Sequence, residues 1–504
     1  MNTQEKKEAL VQAVEEIAGK EAAYWEGNPK MQETFRNCYV STAKTTTKFL
    51  ESGEAYVFTG DIAAMWLRDS SAQVVHYLPY LKEYPILKEM VKGLIARQAK
   101  YVHIDPYANA FNEEDNGNCW EKDLTKYNPW NWERKYEIDS LCYPIWLIKQ
   151  YVENSGARDV FTPEVKQAFR DILDVWQTEH AIKFIKDTFQ LALAAELKLR
   201  RITAPIVVPS GKGLNDNLSG TEQPVSFGAR VLGGQRAEIV QSLAKWKRYA
   251  LWRHHIQPGM GIYTDMNALR PDETIDNIHS VYVDQWDWEK VITPEERTPE
   301  RLQLCVERIY AALKRTEFLL SEQFPVLQPF LPDRIHFIHA EELRKQYPGL
   351  SPKEREERIA CQFGAVFIRG IGGALGDGTI HDDRSPDYDD WSTEAEDGSV
   401  GLNGDIIVWN PVLQSAFEIS SMGIRVDRAA LEKQLWLKNA GDRKKLYFHS
   451  LLLEGKLPQT MGGGIGQSRL CMLLLQKCHI GEVQAGLWPD EVLTECEKAG
   501  VFLF

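Results

Sequence analysis

The sequence predicts an α+β fold in two parts, a helical first part and a later part that contains strands. In the first part, Leu87–Tyr101 carries Met90, Leu94 and Ile95 on one stripe, which is the spacing of a buried helix face. In the later part, we expect Val281–Trp288 to be a strand. Seven of the fifteen tryptophans lie before residue 180, so the helical part also has its own aromatic-rich composition.

Composition excludes several classes of protein. The 504 residues allow two or more domains, and the 43% of apolar residues can form substantial cores. The net charge of −13 argues against a broad nucleic-acid-binding surface. No uncharged apolar run reaches the roughly 18 residues of a membrane span, and Met1–Glu8 lacks the apolar core of a signal peptide. The eight cysteines form no CxxC pair, which favours reduced thiols. We therefore expect a cytoplasmic protein without a membrane or nucleic-acid partner.

Aromatic and polar residues alternate over much of the first part. We expect Gly60–Ser70 to open a helix that continues to Leu78, and Tyr84-Pro85 to precede the next helix. Polar side chains between aromatic plates suit a sugar-binding cleft. The alternative is a helical core whose acidic residues cap helices.

Three phrases in this part resemble the N-terminal portion of the metal-independent exo-α-1,6-mannosidases. They are Thr59–Ser70 (TGDIAAMWLRDS), Tyr107–Gly117 (YANAFNEEDNG) and Glu137–Pro144 (EIDSLCYP). The resemblance implies an all-α domain over residues 1–179, an incomplete (α/α)6 toroid that is truncated to less than half of such an enzyme.

The same resemblance places Asp61, Arg68 and Asp69 at positions that would line the sugar site. An inverting glycosidase needs a carboxylic acid and a carboxylate roughly 6.5–9.5 Å apart. The family supplies both from its later helices, and no later segment of this chain matches them. We therefore expect that residues 1–179 do not hydrolyse mannosides.

The two parts are expected to join within a helix. Thr162-Pro163 suits a helix start, and no glycine or proline follows until Pro205, so one helix can extend to about Leu199. Its predicted apolar stripe changes at the polar residues 177–180. The stripe consists of Val165, Phe169, Ile172, Leu173 and Trp176, and then of Ile182, Ile185, Phe189, Leu193 and Leu197. Arg200–Val208 is expected to follow as a strand.

A glycine-rich stretch, Met461–Leu470, stands near the end of the chain. Four of its residues, Gly462, Gly463, Gly464 and Gly466, remove the side chains from one face of the backbone, so that a flat ligand can approach. Arg469 follows at the start of an apolar helix and can contact a purine or a phosphate. The alternative is a glycine-rich turn before a core helix.

Residues 181–504 resemble the ammonia-dependent asparagine synthetases, the aspartate–ammonia ligases of the class II aminoacyl-tRNA synthetase-like fold, which implies a catalytic domain over residues 180–504. The similar segments are residues 181–199 and 200–208, Leu214–Gly220, Gln241–Arg248, Ala268–Glu273, His279–Glu289, Pro386–Trp391, Gly401–Asn410, Phe417–Val426 and the glycine tract. The resemblance implies an antiparallel β-sheet flanked by helices. It also implies a homodimer formed through residues 181–208.

The implied reaction is ATP-dependent amidation of L-aspartate by ammonia, through β-aspartyl-AMP, with release of AMP and diphosphate. The aspartate carboxylate and the triphosphate of ATP are both anions, so cations must surround the phosphates for the two to meet. By the resemblance, the catalytic residues are Arg270, Arg469, Asp405 and Glu418, and the last two would hold Mg2+. Besides the two arginines, the four glycines of the tract would bind ATP.

The amino acid needs an acceptor for its ammonium group and a cation for its α-carboxylate. In the strand expected at Val281–Trp288, a period of two points Gln285 and Asp287 the same way, about 7 Å apart. The residues that match substrate contacts of the family are Asp216, Ser242, Lys247, Gln285, Asp287, Ser421 and Arg425. Lys247 stands in a basic run that is otherwise typical of an exposed surface.

Three other interpretations remain at this point. The chain could be a synthetase-like module that binds an amino acid or tRNA without making an amide. It could be an exo-α-1,6-mannosidase-derived glycosidase with a C-terminal accessory part, but the half that would carry the acid and the base is missing. It could also be an inactive fusion.

Overall fold

Helices and strands are both present, which confirms the predicted α+β class. The structure, a computed structural model, describes residues 1–121, 128–216, 218, 222–230 and 233–504. The chain divides into two units, Met1–Thr178 and Glu179–Phe504. Within the described ranges, no helix combines the length and the apolar character needed to cross a membrane.

The helices are α1 (Thr3–Glu21), α2 (Pro29–Ser41), α3 (Leu67–Ala72), α4 (Pro85–Ile104), α5 (Ile138–Ser155), α6 (Pro163–Leu197), α7 (Ala244–Arg253), α8 (Pro299–Gln323), α9 (Ala340–Gln346), α10 (Pro352–Phe363), α11 (Arg428–Leu437), α12 (Tyr447–Leu453), α13 (Gln467–Leu474) and α14 (Asp490–Ala499). The strands are β1 (Thr47–Phe49), β2 (Ala55–Val57), β3 (Met65–Trp66), β4 (Ala110–Phe111), β5 (Asn131–Glu133), β6 (Leu199–Arg201), β7 (Val207–Pro209), β8 (Ser226–Ala229), β9 (Gln235–Ile239), β10 (Gly261–Leu269), β11 (Tyr282–Val291), β12 (His336–His339), β13 (Ala365–Arg369), β14 (Asn403–Asn410), β15 (Ser415–Ile424) and β16 (Thr460–Gly466).

The first unit is mainly helical, and short strands accompany its helices. Strands β1 and β2 pair with each other, while β3, β4 and β5 form a second small sheet. The helix predicted from Gly60 to Leu78 is wrong at its start. Residues Met65–Trp66 are extended because they pair with Ala110–Phe111, and the α-helix covers only Leu67–Ala72.

Helix α6 contains the division between the units, and its length agrees with the predicted helix. Before the division, Val165 and Ile172 are buried as predicted, but Leu173 is 47% exposed. Each residue turns about 100° around a helix axis, so Leu173 cannot share the centre of a narrow stripe with its neighbour. The stripe after the division is buried in the second unit at Ile185, Phe189, Leu193 and Leu197.

The second unit is built on an eight-stranded sheet in the order β12-β13-β14-β15-β16-β11-β10-β6. The β12–β13 and β10–β6 pairs are parallel and the other pairs are antiparallel, which confirms the predicted sheet in its main part. Residues 200–208 do not form one strand as predicted. Because proline cannot extend a ladder of hydrogen bonds, the chain leaves the sheet after β6, and β7 joins a separate sheet with β9 and β8.

The two faces of the large sheet differ in chemistry. One face contributes Trp286, Trp288 and Ile465 to the main core, together with apolar residues of α6, α8 and α13. The other face packs Ile368 and Ile407 in a second core with residues of α9 and α10. Along β11, β15 and β16, that second face carries polar residues and glycines instead. The candidate site lies there.

We expect Phe189→Ala to lower the free energy of unfolding of the second unit by about 3–5 kcal/mol, because it removes a buried ring from the main core. The ring centroids of Phe189 and Trp286 are 4.9 Å apart. Phe318, on α8 of the same unit, is 57% exposed, so Phe318→Ala is the matched control and should change the free energy by no more than about 0.5 kcal/mol. Urea denaturation of the full chain measures both, and equal effects would contradict the assignment of the buried face.

Candidate functional site

A cavity of about 480 Å³ lies over the polar part of the sheet in the second unit. Strands β11, β15 and β16 form its floor, and α7, the start of α13 and the loop before Asp389 contribute to its wall. Of the residues predicted from the sequence, those that line it are Ser242, Lys247, Arg270, Gln285, Asp287, Glu418, Ser421, Arg425, Gly463, Gly464, Gly466 and Arg469. Asp216, Asp405 and Gly462 are not among the lining residues.

The glycine tract forms a strand, so the alternative interpretation of it as a turn before a helix is wrong. Strand β16 runs between β15 and β11, with Gly464 opposite both Ser421 and Asp287. A Cβ atom at Gly462 would overlap the carboxylate of Glu289, and one at Gly464 would overlap Gln285 and come within 2.7 Å of Asp287 Oδ1. Glycine is therefore required because polar side chains of β11 lie across the strand.

The polar side chains of β11 alternate as the period of two predicts. Trp286 and Trp288 enter the core, while Gln285 and Asp287 face the cavity. Lys247 Nζ lies 3.0 Å from Asp287 Oδ2 and donates to the Gly463 carbonyl at 2.9 Å. Burial lowers the pKa of Lys247, and the charge of Asp287 opposes that effect. Lys247 is fully buried and does not belong to an exposed basic run.

Asp287 keeps one oxygen for a ligand. Its Oδ2 atom faces Lys247, whereas its Oδ1 atom is buried and has no hydrogen-bond partner among the described residues. A buried carboxylate oxygen without a donor is costly, so a bound cationic group would satisfy it.

Arg425 is held between two acids. Its guanidinium lies 2.8 Å from Glu289 Oε2 and also pairs with Asp389. Burial alone would lower the pKa of Arg425, but the two carboxylates raise it above its usual range. Burial raises the pKa of Asp389, and Arg425 opposes this. Arg425 is therefore a fixed cation in the cavity wall.

Arg270 and Arg469 are the predicted nucleotide contacts. Arg270 Nε donates to the Gln241 carbonyl at 3.4 Å, and its Nη1 atom is 3.7 Å from a Glu273 oxygen. Arg469 Nη1 donates to the Glu418 carbonyl at 3.2 Å. Long, mostly backbone contacts leave both guanidinium groups able to take an anionic ligand.

A side chain of strand β11 caps the first turn of helix α13. Asp284 Oδ1 accepts the Ser468 backbone N–H at 3.0 Å, and Lys186 Nζ of α6 lies 3.0 Å from Asp284 Oδ2. Gly466, which precedes the helix, has no side chain to cap it. Asp284 thereby fixes the helix that carries Arg469.

Glu418 reaches the cavity because of a bulge in β15. The pairing of β14 with β15 shifts between Ile406 and Ile407, so Ser421 is opposite Asp405 and Glu418 is opposite Ile407. Residues directly opposite on neighbouring strands share a face. The extra residue in β15 thus aims Glu418 to the same side as Asp405 and Ser421.

Asp405 is buried beside this group and pairs with a residue that the sequence did not indicate. Arg384 Nη2 is 2.5 Å from Asp405 Oδ2, and Arg384 Nη1 is 2.8 Å from Asp382. Burial raises the pKa of Asp405 to about 7, Arg384 opposes the shift and Glu418 adds to it. Arg384 lines the cavity and lies two residues before Pro386–Trp391, a segment that resembles the ligase family.

Asp216 belongs to a buried cluster behind the wall. Lys245 Nζ lies 3.3 Å from Asp216 and 3.2 Å from Asp387, and His449 Nε2 lies 2.9 Å from Asp387. Burial raises the pKa of Asp216, and Lys245 opposes the effect. Three residues of the segment Leu214–Gly220, namely 217, 219 and 220, lie outside the described residues.

Two acids of this site, Asp405 and Glu418, suit a divalent cation that is bound together with a nucleotide. Among the described residues, no group of three or more histidine, cysteine or acidic side chains is arranged to hold a metal ion. Magnesium in nucleotide sites instead uses one or two carboxylates plus phosphate oxygens. Asp405 Oδ1 is buried without a hydrogen-bond partner among these residues, and Glu418 lies on the same face of the sheet.

Two of the three predicted sugar-site residues of the first unit, Arg68 and Asp69, belong to an ion-pair cluster. Arg68 Nη1 lies 2.9 Å from Asp139 and 3.1 Å from Glu137, and its Nη2 is 3.5 Å from Asp69. Asp61 is exposed. The cluster is part of the first unit alone.

Two solved structures are similar to parts of this chain. A metal-independent alpha mannosidase of Streptococcus pneumoniae, solved with alpha-1,6-mannobiose, is 41% identical, with 35% of this chain and 41% of that chain covered at a TM-score of 0.32. The chain thus spans less than half the length of that mannosidase. The asparaginyl-tRNA synthetase of Pyrococcus horikoshii, in complex with asparaginyl-adenylate, is 16% identical, with 67% and 75% covered at a TM-score of 0.48.

Family models confirm both sequence resemblances. Residues 28–201 match the model described as metal-independent alpha-mannosidase (GH125), and residues 176–500 match the one described as aspartate-ammonia ligase. The aspartate–ammonia ligase of Parabacteroides distasonis is 56% identical over 335 residues, which are 66% of this chain and 97% of the relative. That of Clostridium perfringens is 51% identical over 339 residues, 67% and 98% of the two chains. The chain therefore belongs to the aspartate–ammonia ligase family and is an enzyme of ammonia-dependent asparagine synthesis.

Proposed function

We propose that the cavity of the second unit converts L-aspartate, ATP and ammonia into L-asparagine, AMP and diphosphate through β-aspartyl-AMP. One observation carries the proposal: Asp287, Arg270 and Arg469 line a single cavity with the glycines of β16. A carboxylate with an unsatisfied oxygen and two available arginines are what an amino acid and a nucleotide need in one place.

The amino-acid part is proposed to lie against β11. Asp287 Oδ1, which is buried and unsatisfied among the described residues, accepts a hydrogen bond from the ammonium group of aspartate. Gln285 lies on the same face and donates through its amide. Arg425 presents its fixed charge to the α-carboxylate, while Lys247 orients the Asp287 carboxylate.

Other predicted contacts are proposed to support this part of the site. Ser242 and Ser421 line the cavity and offer hydroxyl groups. Asp216 acts from behind the wall, because it pairs with Lys245. Gly462 acts through the space that it leaves for Glu289.

The nucleotide part is proposed to lie between Arg270, Arg469 and the site face of β16. In the first step the aspartate β-carboxylate attacks the α-phosphorus, and diphosphate leaves. Negative charge grows on the α-phosphate oxygens and on the leaving group, and the two arginines stabilise it. In the second step ammonia attacks the acyl carbon of the mixed anhydride, AMP leaves, and a proton is lost to give the amide.

Asp405 and Glu418 are the residues proposed to hold Mg2+ with the nucleotide. A bound magnesium ion would supply charge neutralisation of the phosphates. The unsatisfied Asp405 Oδ1 and the placement of Glu418 by the β15 bulge support this assignment.

We further propose that residues 1–179 are a truncated mannosidase-like toroid without hydrolase activity and that residues 180–504 are the catalytic domain, in a cytoplasmic protein. We also propose a homodimer through the segment 181–208. Leu191, Ile206 and Val207 of this segment are 67%, 56% and 41% exposed, an apolar surface that a second copy would cover.

The purified chain should make asparagine from aspartate, ATP and ammonium, with AMP and diphosphate as the other products. Amino-acid analysis measures the asparagine, and chromatography of the nucleotides identifies the AMP. Glutamine in place of ammonium is the control and should be a far poorer nitrogen donor, because the family to which the chain belongs uses ammonia. Release of ADP, or better use of glutamine, would refute the proposed reaction.

Arg270→Ala and Arg469→Ala should each lower aspartate-dependent diphosphate–ATP exchange by roughly 10²–10³-fold, because each removes a charge that stabilises the transition state. Arg358→Ala is the matched control, since Arg358 is exposed on α10 and does not line the cavity. Circular dichroism checks the folding of all three variants. Exchange above about a tenth of the wild-type rate would remove that arginine from the reaction.

Sedimentation velocity should show a dimer, and Leu191→Glu with Ile206→Glu should produce a monomer, since charge would be placed in the apolar contact. Val326→Glu is the control, because Val326 is 82% exposed and lies outside the segment. A wild-type monomer at all concentrations rules out the homodimer.

A further inference from the structure

Arg384 is a fifth cation in the cavity wall, and the reaction as proposed gives it no role. Its side chain is only 13% exposed, yet it lines the cavity beside Asp382 and Ser385. Its two terminal nitrogens pair with Asp405 and Asp382, while its Nε atom is buried and has no hydrogen-bond partner among the described residues. The hydrogen-bonding capacity of this guanidinium is therefore incompletely used.

The other lining cations are already committed to distinct tasks. Lys247 is paired with Asp287 and Arg425 with two acids, so both serve the amino-acid part. Arg270 and Arg469 are assigned to the nucleotide. The triphosphate and the attacking β-carboxylate together bring more negative charge to the site than two arginines and one divalent cation compensate, so a further cation has a task there.

Arg384 stands next to the acids assigned to the metal. Its pKa is raised above the usual range, where burial would lower it, by the charges of Asp405, Asp382 and Glu418. One guanidinium thus neutralises Asp405, the carboxylate that is proposed to bind a divalent cation. A guanidinium on Oδ2 and a divalent cation on Oδ1 of the same carboxylate repel each other, so binding of the cation weakens the pairing of Arg384 with Asp405.

The loop that carries Arg384 is fixed without the guanidinium. Trp391 Nε1 donates to the Ser385 carbonyl at 3.0 Å, and Ser385 Oγ donates to Asp387 Oδ1 at 2.7 Å. A Cβ atom at Gly372 would lie 2.9 Å from the Arg384 Cβ, so the base of the side chain packs closely against that glycine. The tip can therefore change partners while its base stays in place.

We propose that Arg384 is a further catalytic residue, which neutralises Asp405 in the empty site and releases it when a nucleotide and a divalent cation bind. Released, Arg384 donates hydrogen bonds to the β- and γ-phosphates. The bond that forms joins a β-carboxylate oxygen of aspartate to the α-phosphorus. The bond that breaks joins the α-phosphorus to the bridging oxygen, which leaves with its electron pair on diphosphate. Arg384 stabilises that charge and transfers no proton. The inference rests on the proposed adenylation.

The proposal predicts opposite effects of one substitution. Arg384→Met should lower aspartate-dependent diphosphate–ATP exchange by roughly 10²-fold, as expected for a lost charge on the leaving group. The same change should tighten binding of Mn2+ alone by at least about fivefold, the lower end of typical coupling between two ligands, because Asp405 is freed. A merely structural arginine would weaken both. Exchange is measured with labelled diphosphate, and Mn2+ binding by electron paramagnetic resonance without nucleotide.

Two further variants complete the test. Arg384→Lys keeps the charge but loses the paired donors, so it should bind Mn2+ as the wild type does and still lose exchange by about tenfold. Lys438→Met is the matched control, because Lys438 pairs with Asp383 of the same loop and does not line the cavity. It should leave both quantities unchanged.

Each outcome decides the matter. Unchanged exchange in Arg384→Met, or Mn2+ binding that is unchanged or weaker, overturns the role of Arg384. If Arg384→Met unfolds in thermal melting, Arg384→Lys carries the test, and wild-type exchange in it overturns the proposal. Absence of exchange in the wild-type chain contradicts the proposed function itself, whatever Arg384 does.

Discussion

The site depends on the absence of side chains from one face of β16. Gly462, Gly464 and Gly466 are spaced by two, so they share that face, while Met461 and Ile465 enter the core from the other. The space over the strand is taken by the side chains of Gln285, Asp287 and Glu289. A central strand with four glycines in seven residues loses conformational stability on its own account. Its flanking strands compensate, because β11 and β15 hold it on both sides.

A row of acids can lie beside a row of cations only because the backbone there is bare. Glu289 touches Arg425 over Gly462, and Asp287 touches Lys247 near Gly464. Each charge is paired and buried, so removing one partner leaves the other without compensation, at a cost of several kcal/mol, typically about 3–5. This arrangement fixes the geometry of the proposed amino-acid part more firmly than a loop could.

Much of the fold and part of the site followed from the sequence, for reasons that individual residues show. The alternation in β11 identified Gln285 and Asp287 as neighbours on one face, because a strand has a fixed period. The order of the motifs indicated which residues come together, including Lys247, which local composition had assigned to the surface. Local rules failed where long-range pairing decides: Met65–Trp66 became a strand through its partner β4.

Arg384 shows a second limit of inference from sequence. It precedes a recognisable segment but has no periodic pattern of its own, and its partner Asp405 lies twenty-one residues away on a strand. The bulge that turns Glu418 toward the same place is likewise a matter of register, which the residue types of β15 do not encode one by one. Such relations become visible only when the strands are paired.

The cap on α13 has a consequence for how nucleotide selectivity can change. Many nucleotide-binding proteins hold phosphates with the free backbone amides at a helix start. Here Asp284 already occupies the Ser468 amide, and its negative charge opposes a phosphate at that point. In the proposed site, recognition of the phosphates therefore comes from separate side chains. Each of these side chains can be replaced by a single mutation without a change of the backbone. Selection can therefore adjust the affinity for the nucleotide gradually.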